Sequence, residues 1–180
     1  MEPEEFYEIA AAPDAFRSSL INIRLKLDGI DATVDLIESH DTGETGKIPE
    51  DEDPVLKEIL SQSTLITSSG RFARLHFYGI QAIVIQDEFR DIVDIVKCDL
   101  NLFPRLATGE TYPFMKVVNS RWKKILPDYQ GGNNPDIQHF KIVSMETCID
   151  VLARFEKIET DLQESEREVT SSKTLNLSRR

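Results

Sequence analysis

From residue 20 to residue 39 the chain reads LINIRLKLDGIDATVDLIES, and the Asp28-Gly29 pair at its centre decides between two incompatible folds. A helix fits part of the pattern. Phe16, Leu20, Ile23, Leu27, Ile30, Val34 and Ile37 step alternately by four and three residues, as a heptad seam does. Gly29 would then sit in mid-helix at a cost of roughly 1 kcal/mol relative to alanine. Ile21, Leu25 and Leu36 would also fall off the seam.

A hairpin turning on Asp28-Gly29 accounts for all of these residues. Asp-Gly is a strong signal for a two-residue I′ turn, because both central positions need positive φ. That turn sets Leu27 against Ile30, Leu25 against Ala32, Ile23 against Val34 and Ile21 against Leu36. The opposite face sets Lys26 against Asp31, Arg24 against Thr33 and Asn22 against Asp35. One face is wholly apolar and the other wholly polar, as a half-buried antiparallel pair requires. The hairpin is therefore the expected structure.

A second hairpin is expected in QHFKIVSMETCIDVLARFE, with a four-residue turn from Ser144 to Thr147. It pairs Ile142 with Ile149, Phe140 with Val151, Lys141 with Asp150 and His139 with Leu152. RFARLHFYGIQAIVIQ alternates through Ala73, Leu75 and Phe77 and is then continuously apolar from Ile80 to Ile85, apart from Gln81. It reads as an interior strand covered on both faces, with Gly79 marking a bulge. Short helices are expected after Pro54, over EFRDIVDIV, and over RWKKIL with Asn119 or Ser120 as its cap. The sum is an α+β domain over residues 1–168, an antiparallel sheet built from hairpins with a few short packed helices. Residues 41–53 are expected to form a flexible acidic loop, and 169–180 a disordered tail.

Charge is the most unusual bulk property. The net charge is −11, and the first 60 residues hold 16 acidic and 5 basic side chains, so the whole excess lies there. Such a field repels nucleic acid and anionic membrane and speeds encounter with a basic protein. The acidic opening residues lack the basic and apolar regions of a secretory leader, and no apolar run is long enough to span a bilayer. Cys98 and Cys148 lack CxxC spacing and read as buried thiols in a reducing cytoplasm.

No chemical motif survives scrutiny. GETGK at 43–47 lacks the first glycine and the hydroxyl residue of a phosphate-binding loop. Glu50, Asp51, Glu52 and Asp53 lack the alternation of a calcium loop and read as a solvated run suited to a basic partner. His40, His76 and His139 have no zinc spacing. Cys148 and His139 share a face in the second hairpin, but the register separates them along the ladder. Trp122, beside Arg121, Lys123 and Lys124, reads as an anchor of its helix to the sheet. With no catalytic, cofactor or metal signature, the leading expectation is a non-catalytic cytosolic protein that binds a basic macromolecule, such as an immunity- or antitoxin-type inhibitor. A small enzyme or ligand-binding module with a scattered site, or a structural subunit, are the alternatives.

Overall fold

A computed structural model describes residues 4–12, 14–19, 21–45, 53–87, 102–127, 132–144 and 147–163. Among these residues seven antiparallel strands form one sheet: β1 (Phe6–Ile9), β2 (Ile21–Asp28), β3 (Asp31–Thr45), β4 (Thr64–Asp87), β5 (Phe114–Val118), β6 (Gln138–Val143) and β7 (Thr147–Gln163). Their spatial order is β1-β5-β6-β7-β4-β3-β2. Two helices lie among the described residues, α1 (Pro54–Ser61) and α2 (Arg121–Lys124), so the sheet dominates more than the sequence implied. The expected helix over EFRDIVDIV and the tail after residue 168 lie outside the described residues. No described helix is long and apolar enough to cross a membrane.

The first hairpin forms, but two residues out of the expected register. Leu27 pairs with Ala32, Leu25 with Val34, Ile23 with Leu36 and Ile21 with Glu38. The turn residues are therefore Gly29 and Ile30. Gly29 has φ +64° and Ile30 does not have positive φ, the pattern of a II′ turn with glycine at its first central position. Side chains alternate with period two, so a slip of two preserves both faces. Ile30 leaves the ladder and is exposed at the tip, where its carbonyl accepts from the Ile80 N–H at 2.8 Å.

The second hairpin has the expected register throughout, from Gln138–Ala153 to Val143–Cys148. Ser144 and Thr147 bracket its turn, the Ser144 N–H donating to the Thr147 carbonyl at 2.9 Å. β4 is interior, between β3 and β7, and its pairing slips between Tyr78 and Ala82 around Gly79, whose φ is +61°. The run from Ile80 to Ile85 is less covered than expected, with Ile85 exposed.

One face carries the core: Ala32, Val34 and Leu36 of β3, Ala73, Leu75 and Phe77 of β4, and Ile149, Val151 and Ala153 of β7. Phe77 and Phe114 lie three strands apart, about 14 Å along a flat sheet. Their rings nevertheless meet at 6.1 Å, and both touch Phe140 and Phe155. The sheet is curled, with these rings inside the curve. Because β1 and β2 are opposite edges, the chain between them must cross the concave face, where Ala11, Ala15 and Phe16 pack on the core. The buried Tyr112 hydroxyl ties this strap by donating to the Ala12 carbonyl at 2.6 Å. Burial, helped by the nearby Asp14 charge, pushes the Tyr112 phenol up to about 12.

A Cβ on Gly29 would meet nothing within 4 Å, so replacing this residue tests backbone conformation alone. Gly29→Ala is expected to lose about 1–2 kcal/mol in urea denaturation, the cost of holding an L-residue at positive φ. A variant as stable as the parent would show that the turn adopts another conformation.

Candidate functional site

Two regions carry chemistry, and they lie in different parts of the fold. The first is an arm. Among the described residues β2 pairs with β3 as far as Glu38, and β7 pairs with β4 from Arg71 onward. Past those points the pairings among the described residues are between β3 and β4, Ser39 with Ser68, His40 with Thr67, Asp41 with Ile66 and Thr45 with Thr64. This corrects the expected loop: residues 41–45 are strand, with an irregularity between Asp41 and Thr45 where Gly43 has φ +69°. Polar side chains tie the ribbon together. Thr64 donates its hydroxyl to Asp41 at 2.6 Å and Thr42 donates to the Leu65 carbonyl at 3.0 Å. Hydrogen bonds from Thr64 and from the Gly43 N–H hold the Asp41 carboxyl below its ordinary range.

The arm is clamped at its root. Glu38, buried, accepts from the Arg17 N–H at 2.9 Å and lies 3.5 Å from Arg71. Asn22 donates to the buried Ser39 hydroxyl at 3.2 Å. At the far end Asp53 caps α1, its carboxylate accepting from the Val55 N–H at 2.8 Å, with Pro54 at the first helical position. Asp53 is exposed, whereas Glu50, Asp51 and Glu52 lie outside the described residues. Val55, Leu56, Leu65 and Ile66 are 66%, 41%, 46% and 49% exposed. From residue 39 to 69 the sequence holds seven carboxylates and two lysines. The arm is thus both acidic and apolar.

The second region is a buried polar cluster that the sequence did not reveal. Ser120 caps α2, as expected, its oxygen accepting from the Lys123 N–H at 3.0 Å. The same oxygen lies 2.8 Å from His139 Nδ1, and His139 Nε2 lies 2.8 Å from Asp150 Oδ1. Lys141 Nζ donates to Asp150 Oδ2 at 2.6 Å. All four side chains are buried, Asp150 completely. One proton arrangement satisfies them all: Ser120 donates to Nδ1, and Nε2–H donates to the carboxylate. Trp122 meets the imidazole edge-on at 5.2 Å, which is how it anchors α2 to the sheet.

Burial pushes the Asp150 carboxyl up, but the His139 hydrogen bond and the Lys141 charge outweigh it and hold the group below its ordinary range. The order Ser–His–Asp invites a nucleophilic reading, in which the aspartate stabilises a forming imidazolium. Here Lys141 already neutralises that carboxylate, and the Ser120 oxygen is engaged by both His139 and Lys123. The cluster is a satisfied ion pair that pins α2 and the β5 end to the sheet. Cys148 is not part of it. It pairs with Val143, four residues along β6 from His139, about 13 Å away in an extended strand. His76 faces the polar side of β4, 3.4 Å from Glu159.

Beside the cluster a cavity of about 460 Å³ opens between the ends of β5 and β6, α2 and the loop at Gly132–Pro135. Lys116, Lys123 and Lys124 line it together with Asn119, Asn133 and Gln138. Among the described residues no group of three or more potential metal ligands converges. The chain matches no family model, no curated protein and no solved structure, so its residues and geometry alone carry the functional reading.

Asp150→Asn would leave the Lys141 ammonium buried without its counter-charge, at a cost of about 3–5 kcal/mol. The sign of the pH effect follows from the lowered carboxyl. Its contribution is complete above the unfolded value of about 4 and is lost as the pH falls through the folded value. Denaturant unfolding from pH 7 to pH 2 should therefore show the gap between parent and variant closing only in the acid limb. A gap independent of pH would contradict an ionised Asp150.

Proposed function

We propose that this chain is a non-catalytic binding protein whose projecting arm docks on a basic macromolecular partner, as an immunity- or antitoxin-type inhibitor does when it covers a basic active site. The observation that supports this most is the arm itself. A two-stranded ribbon gains little stability alone in water, so length beyond the sheet is better explained by contact with something else than by folding. Its exposed Val55, Leu56, Leu65 and Ile66 supply apolar anchors. Its carboxylates, including Glu50, Asp51, Glu52 and Asp53, supply the steering charge. These two contributions separate kinetically, since rim charge governs association and buried contacts govern dissociation.

The test uses full-length protein to capture partners from native lysate at low salt, followed by binding kinetics with whatever elutes at high salt. Changing Glu50, Asp51, Glu52 and Asp53 to their amides should slow association several-fold while leaving dissociation nearly unchanged. Asparagine caps a helix as well as aspartate, so α1 is retained. Leu56→Ser with Leu65→Ser should instead speed dissociation. A partner that is itself acidic, or kinetics indifferent to both sets of changes, would overturn the proposal.

A further inference from the structure

We infer that the cavity beside α2 is a binding site for a small oxyanion of the phosphate class. In a chain of net charge −11, three lysines and, among the described residues, no carboxylate line this cavity. A concave wall of one sign focuses the field and concentrates counter-ions. Lysine ammonium groups bind phosphate as point charges, and side-chain amides supply further donors. Asn119, Asn133 and Gln138 line the cavity with such amides, one Asn119 proton being given to the Glu4 carbonyl. The volume of about 460 Å³ suits a phosphate carrying a small organic group.

The surroundings are built to hold this wall in place. Lys123 donates one proton to the Asn134 carbonyl at 2.9 Å, which orients its ammonium and leaves two donors. Lys116 and Lys123 both line the cavity, and burial, then the like charge of Lys116, lower the Lys123 amine. An anion bound there would relieve that repulsion. Of the described acids on β1 and its approach, Glu5 accepts the Arg121 N–H, and the exposed Glu8 lies directly across the ladder from Lys116, where it competes with a bound anion for that ammonium. Ser120 and His139 are saturated by the buried cluster, so they shape the floor and do not take part in chemistry.

The sole tryptophan provides the readout, because Trp122 packs on His139, a lining residue. Full-length protein is titrated with inorganic phosphate, pyrophosphate and citrate at constant ionic strength, with chloride as control, and its fluorescence recorded. Phosphate and pyrophosphate should give a saturable change, with pyrophosphate tighter. Lys116→Gln combined with Lys123→Gln should weaken both at least tenfold. Asn133→Asp adds a carboxylate to the wall at an exposed loop position, and it should weaken both several-fold in protein whose far-UV circular dichroism matches the parent. A response no different from chloride would overturn the inference. So would a saturable response indifferent to these substitutions, or one confined to citrate.

Discussion

Four phenylalanine rings can meet across four strands only if the sheet curls around them, and this constraint organises the rest of the molecule. Phe77, Phe114, Phe140 and Phe155 occupy the same face of β4, β5, β6 and β7, and their contact closes the concave side. The curl brings the edges near enough for the strap between β1 and β2 to cover what remains. It ends at Glu38 and Arg71, where a carboxylate and a guanidinium replace apolar side chains. Among the described residues β3 and β4 continue past that point as an exposed pair, and this pair is the arm.

The two candidate regions follow from opposite physical situations. At the buried cluster, desolvation makes every missing partner costly, and each polar atom of Ser120, His139, Lys141 and Asp150 that faces the cluster has found one. That stiffness fixes α2 and hence Lys123 and Lys124 of the cavity. On the arm, water competes for exposed groups, so the field of the carboxylates is screened by salt, even where Asp41 and Asp53 accept local hydrogen bonds. A rigid cavity of positive sign and a solvent-exposed arm of negative sign can therefore coexist in one acidic chain.

Much of the fold was legible because strand periodicity is robust. Lys141 opposite Asp150 and His139 opposite Leu152 follow from the second hairpin, whose turn is bracketed by Ser144 and Thr147. The first hairpin was legible in its faces but not in its register. A slip of two residues leaves every apolar side chain on the same side, so only the turn type separates the alternatives, and Gly29 suits either turn. The arm was not legible: HDTGET has no apolar alternation, and its strand conformation comes from its partner across the ribbon. Nor was the cluster, because Ser120 comes from a loop distant in sequence. One signal did exist. His139, Lys141 and Asp150 form a polar stripe on the face opposite Phe140 and Ile142, and a sheet covered on both sides must pair such charges.

The central claim is that the curled sheet is the cooperative folding unit and that the arm lies outside it. Native-state amide hydrogen exchange on the full chain tests this most directly, because it reports opening free energies residue by residue. Amides of residues 71–78, 139–142 and 149–155 should exchange only through global unfolding, while those of 40–45 and 64–68 should show little protection. Arm amides as strongly protected as those around the phenylalanine cluster would contradict the account.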